Sequence, residues 1–259
     1  MSRSHNLKHS DGEDSYLASL SDLIIGVLFI FIILLMAFAL NYRVAQTDAD
    51  AREKELKQRN EQLSDGQNER KNLLISIKGT LKDKGIPVEI DLQNGVLRLP
   101  ESLLFDSGKA DFRDTGVNAL HIVAENLSAI LPCYASGNTS QAKCKTGMKN
   151  SKLEAIFIEG HTDNVPIHNA FFKDNWDLSV ARAKGTYLEL IKGSSDLEVL
   201  TNDKEQPLLS FSAYAERRPI EDNGSDAGRR KNRRIDLRFI MSVPKVMETL
   251  NEAQAFIAK

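Results

Sequence analysis

The apolar positions along this chain change their spacing three times. From Leu23 to Leu40 there is no alternation at all: 18 consecutive residues carry no charge. At about 1.5 Å of rise per residue such a helix covers roughly 27 Å, close to the ~30 Å hydrocarbon core of a bilayer. Tyr16 to Ser21 and Asn41–Tyr42 extend the apolar character, so a membrane helix is predicted over 15–42, after a short tail at 1–14. A cleaved signal peptide fits less well. The run is too long, Asp11, Glu13 and Asp14 make its leading arm acidic, and the small-residue pair Ala37 and Ala39 lies inside the run.

The second regime, 43–84, is charged, free of proline and rich in helix formers, which predicts a helical stem. Ala49, Leu56 and Leu63 recur at heptad spacing, too few heptads to define a coiled coil. Leu73, Leu74, Ile77 and Leu81 mark the first apolar face of a folded domain.

The third regime mixes short periods. "VEIDLQNGVLRLP" alternates at Val88, Ile90 and Leu92, turns at Asn94-Gly95 and resumes at Val96, a hairpin signal. Val117, Leu120, Val123, Leu127 and Ile130 give 113–131 one apolar helical face; 177–192 and 244–258 also read as helices. "LEAIFIEG" at 153–160, "LLSFSAY" and "RRIDLRFI" at 233–240 read as strands. The order hairpin, helix, strand, helix, strand, strand predicts an α+β layered sandwich over 85–259.

Composition changes this picture little. The chain has 259 residues and a net charge of −2, which indicates no polyanionic partner. The basic cluster Arg229, Arg230, Lys231, Arg233 and Arg234 could suggest a nucleic-acid patch, but the family resemblance described below implies a structural role for Asn232 and Arg233 within it. The two cysteines, Cys133 and Cys144, flank a small polar segment and are expected to form a loop-closing disulfide in an oxidising compartment. His161, Asp163 and His168 match no zinc spacing, no Ser/His/Asp or Cys/His grouping signals hydrolysis, and neither metal, cofactor nor enzymatic activity is expected.

Asp22 sits at the lip of the apolar run. A charge near the middle of a membrane helix costs about 2.5–3.5 kcal/mol, less towards the edge. With the helix starting near Ser15, Asp22 lies about 10 Å inside it and is expected to face a partner or a wet cavity, where its carboxylate could relay an ion. The plainer reading is an acid that ends the span among the headgroups.

Three segments carry a resemblance: "LLFDSGKADF", "IEGHTDN" followed by "NWDLSVARA", and "RRPIEDNGSDAGRRKNRRIDLRF". Together they resemble the OmpA C-terminal family, the peptidoglycan-binding domain shared by OmpA, Pal and MotB. The resemblance implies a site for the diaminopimelate of wall peptides, held by Asp163 and by Arg182 through its planar fork, with Thr162, Leu178, Phe105 and Asp106 as neighbouring walls and Asn175 bracing the loop. It also implies a periplasmic domain and a cytoplasmic N-terminus in the bacterial inner membrane. The flanking charges oppose that orientation, since Arg43, Arg52, Lys54, Lys57 and Arg59 follow the span and only Arg3 and Lys8 precede it. A span with an aspartate near its start, a stem and a wall clamp is similar to MotB-like stator subunits. That implies a homodimer, a MotA- or ZorA-like multi-span partner and proton relay by Asp22. The span "SLSDLIIGVLFIFIILLMAFAL" looks more like that of the ZorB subunit of the Zorya antiphage system than the flagellar form. A flagellar-type subunit and a passive wall tether are the alternatives.

Overall fold

The structure is a computed structural model that describes residues 11–136, 144 and 152–243. The expected helix over 244–258 and residues 1–10 of the expected tail lie outside the described residues. The chain divides into two units, Met1–Gln58 and Arg59–Lys259.

The first unit is carried by helix α1, Asp11–Asp83. Among the described residues α1 alone is long and apolar enough to cross a membrane, and its richest 18-residue window has a mean hydropathy of 3.3. The large apolar side chains of its Leu23–Leu40 run, such as Ile25, Phe29 and Leu34, are exposed. Asp22 lies within the continuous helix and not at its end.

The second unit begins earlier than the expected domain start at 85. Leu73, Leu74, Ile77 and Leu81, at helical i, i+4 spacing on the last turns of α1, are fully buried in the domain core. The remaining elements are β1 (Glu89–Asp91), β2 (Val96–Pro100), α2 (Glu101–Leu104), α3 (Asp114–Ile130), β3 (Leu153–His161), α4 (Asn175–Gly193), β4 (Leu209–Ala215), α5 (Asp226–Asn232) and β5 (Arg234–Met241). The strands form one sheet in the order β1-β2-β5-β3-β4, antiparallel except for the β3–β4 pair. This is the α+β architecture the periodicities predict. The short α5 was not anticipated.

Local chemistry explains the hairpin. The Asp91 carboxylate accepts from the Asn94 backbone N–H at 3.0 Å and from the Asn94 side chain at 2.8 Å. Gly95 then turns the chain at φ 71°, a conformation glycine adopts without a Cβ penalty.

Strand alternation divides the sheet into two unlike faces. Leu97, Leu99, Ile156, Ile158, Ile235, Leu237 and Phe239 join Leu120, Val123 and Leu127 of α3, Leu190 of α4 and the end of α1 in one apolar cluster. The intervening positions place like charges opposite one another, Glu159 facing Asp236 across β3 and β5. Three guanidinium groups offset that repulsion. Arg238 grips Glu159 through Nε and Nη2 at 2.7 Å each, while Arg98 and Arg234 donate to Asp236 at 3.0 and 2.9 Å.

Candidate functional site: a charge-balanced cavity at the end of β3

Strand β3 runs out at His161 and hands the chain to Thr162 and Asp163. Gly160 lets α4 press against this strand end, because a Cβ there would collide with the Ser179 carbonyl. The Asp174 carboxylate starts α4 by accepting from the Asp177 N–H at 3.0 Å. Two turns further on, Arg182 enters the interior, only 1% exposed.

These elements surround a cavity of about 260 Å³. Its lining includes Thr162, Asp163, Asn175, Leu178 and Arg182 of the residues expected from sequence, with Glu101, Arg229 and Arg233 added. Asp163 and Arg182 do not pair directly. Arg182 bonds to Glu101 through Nη2, to the Lys109 carbonyl through Nε at 2.8 Å and to the Asp106 carbonyl at 3.3 Å. Glu101 uses its other oxygen for Arg233 Nε, and Arg233 Nη1 reaches Asp163 at 2.6 Å. The result is a chain of alternating charges, Arg182–Glu101–Arg233–Asp163, in which two guanidinium groups meet two carboxylates.

Burial pulls the Arg182 pKa below its ordinary value, and Glu101 opposes that pull. Burial also works against the charge on Arg233, but its bonds to Asp163 and Glu101 hold its pKa above the usual arginine value. The Arg182 fork expected to take a carboxylate bidentately is partly committed, leaving Nη1 without a described hydrogen bond; Arg233 likewise keeps Nη2.

The other expected residues take different places. Asn175 donates to the Asp163 and Val165 carbonyls at 3.3 and 3.2 Å and braces the loop. The Thr162 hydroxyl donates to the Asp163 carbonyl at 2.9 Å. Phe105 is fully buried, stacked on Phe112, with the Arg182 guanidinium 5.1 Å above its ring, so it supports the cavity from behind. The Asp106 side chain faces solvent, where Arg113 and then Lys109 hold its pKa below the usual range; it reaches the site only through its carbonyl. Cys133 and Cys144 are joined in a disulfide.

Sequence reasoning missed Glu101 as a site residue and took Arg233 as structural. Glu101 is 5% exposed although it opens a helix directly after an apolar strand. That position, an acid at the first turn after "VLRLP", was the available signal. Arg233 joins the cavity because its carbonyl accepts from the Glu101 N–H at 3.1 Å, tying the start of α2 to the end of α5.

The domain is thus an α+β sheet with a recess lined by buried charges at one strand end. Residues 104–233 match the model of the OmpA family, and the chain belongs to that family. The chain is 29% identical over 190 residues to Motility protein B of Bacillus subtilis, covering 72% of this chain and 60% of that protein. It is 25% identical over 249 residues to the uncharacterized protein YtxE of the same organism, covering 89% of this chain and 90% of the relative. Motility protein B of Helicobacter pylori is 30% identical over 166 residues, 62% of this chain and 53% of its own length. The chain thus spans 60% or less of the motility proteins it matches. Among solved structures, a MotB-like protein from Desulfovibrio vulgaris aligns with TM-score 0.48 and 21% identity over 68% of this chain and 94% of that one. The periplasmic domain of Helicobacter pylori MotB aligns with TM-score 0.43 and 23% identity over 62% and 83%.

Proposed function

We propose that this protein is a single-span, stator-type subunit that holds the bacterial cell wall with its OmpA-family domain and relays protons at Asp22. The observation that carries the wall-binding part is the balance of charge around the β3 cavity. A zwitterionic centre such as that of diaminopimelate brings a carboxylate and an ammonium group. The ammonium can replace Arg233 on Asp163, and the carboxylate can take the donors left on Arg182 Nη1 and Arg233 Nη2. The four-charge chain is balanced, and the third guanidinium of the lining, Arg229, is paired with Asp226 outside it, so the recess favours such a ligand over a simple anion or cation.

The span, the disulfide and the family support a reading with the domain in the periplasm and the N-terminus in the cytoplasm, against the flanking charges. A homodimer and a multi-span partner complete it, and the role is binding and ion relay without catalysis. The motility proteins among the relatives favour a MotB-type subunit over the Zorya-type one expected from the character of the span.

The test is retention of the full chain on purified sacculi. Asp163→Asn and Arg233→Ala are expected to weaken retention at least tenfold, while Asp22→Asn leaves it intact and abolishes proton flux in cells that also express the multi-span partner. Undiminished retention in both cavity variants refutes the wall site. Undiminished flux in Asp22→Asn refutes the relay and leaves a tether.

A further inference from the structure

A second cavity, of about 430 Å³, lies behind the first. The two share no lining residue, yet they are built from adjacent ones: Pro100 beside Glu101, Arg230 beside Arg229, Arg234 beside Arg233. The start of α2 and the α5–β5 junction are a common wall, with neighbouring side chains turned to opposite sides.

The two recesses differ in charge. Arg98, Arg230, Lys231 and Arg234 line the second one, with Glu89 as its one acid. Lys231 is taken up by Glu221 at 2.8 Å, with Glu89 also acting on its charge. Arg98 and Arg234 both serve Asp236, and beneath them Arg238 serves Glu159. These three guanidinium groups meet Asp236 and Glu159, with Glu89 opposite Arg98 across β1 and β2 and Asp91 also within reach of its charge. His161 stands within 3.7 Å of both acids, and burial pulls its pKa down, towards the neutral ring. Arg230 is exposed and has no ion-pair partner among the described residues. Arg98 is held rigidly, because its Nε bonds to Asp236 and its side chain is only 15% exposed. Its described hydrogen bonds run from Nε alone, which leaves neither Nη group committed, and the residue lines the cavity.

Arg98 shares Asp236 with Arg234, and the exposed Arg230 adds an unpaired cation, so an anion in the cavity gains charge-assisted bonds from both. A fixed planar fork fits a carboxylate. Pro87, Val88, Pro100 and Ala227 form apolar walls around it that fit a short aliphatic stem. We infer that this second cavity binds the terminal carboxylate of a peptide ending in small aliphatic residues, seated on Arg98 and Arg230. The peptide end has two sources, a wall stem peptide with D-residues or a protein C-terminus with L-residues.

The experiment uses the full chain in detergent micelles and saturation-transfer NMR with acetyl-D-Ala-D-Ala, acetyl-L-Ala-L-Ala, the carboxamide-capped forms of both, and inorganic phosphate. One or both free-acid dipeptides are expected to bind, the D form identifying wall peptide and the L form a protein terminus. The capped forms are expected not to bind. Arg230→Ala, on an exposed position, is expected to weaken binding about tenfold, the loss of one charge-assisted hydrogen bond. Asp163→Asn is expected to leave it unchanged, which separates this site from the wall cavity. Equal binding of the capped dipeptides, equal binding of phosphate, an Arg230→Ala effect below twofold, or loss of binding in Asp163→Asn each overturns the inference.

Discussion

Glu101→Gln is the sharpest probe of the cavity. The substitution keeps shape and one acceptor oxygen but removes the one carboxylate bonded to Arg182 among the described residues, where Arg182 is 1% exposed. The amide NH₂ then faces one of two guanidinium groups as donor against donor. Removing one partner of a buried ion pair costs about 3–5 kcal/mol. The Lys109 and Asp106 carbonyls still accept from Arg182, and the Arg233 side chain is 23% exposed, so the lower end, about 3 kcal/mol, applies here. With a urea m-value of about 2 kcal/mol/M, the midpoint falls by about 1.5 M. Trp176, the single tryptophan of the chain, lies in the first turn of α4 beside the cavity, so its fluorescence reports this domain in full-length protein. Adding Arg182→Met removes the stranded charge. The double variant is expected to lie about 2 kcal/mol above the sum of the single effects. A midpoint shift below about 0.3 M for Glu101→Gln, or strict additivity in the double variant, refutes the idea that Glu101 neutralises Arg182.

Other consequences follow from the same contacts. Ile77→Ala is expected to destabilise the domain by about 2–4 kcal/mol in the same urea assay, because the last turns of α1 belong to the core; an unchanged midpoint refutes that boundary. Cys133→Ser opens a closure between positions 11 apart and is expected to cost about 2.7 kcal/mol, read as the difference between oxidised wild type and variant. Burial works to raise the Glu159 pKa, but the His161 ring 3.6 Å away and the bonds from Arg238 outweigh it and hold the carboxyl at about 2, below the ordinary 4.5. Its contribution is therefore complete above pH 4.5 and is lost as pH falls through about 2. Urea midpoints measured across that window should decline in the wild type and decline less steeply in Glu159→Gln.

What could be read from sequence is what neighbouring residues decide. The apolar run of α1 reports its environment through composition alone. The hairpin is written in Asp91, Asn94 and Gly95, which touch one another. The period of Val117, Leu120, Val123 and Leu127 follows from helix geometry. Asp163, Asn175, Leu178 and Arg182 were expected from family motifs contiguous along the chain, and the structure brings all four to one cavity. The partners of these charges were not legible. Arg182 meets Glu101 across 81 residues, Arg233 meets Glu101 across 132 and Asp163 across 70. Such pairings depend on the order of strands in the sheet and on how α2 and α5 abut, and no local pattern encodes either. Asp163 and Arg182, expected to hold a ligand by themselves, sit in a chain of four charges for that reason. The second cavity is likewise a product of packing, since its cations come from β2, α5 and β5, and only the assembled sheet sets them around one space.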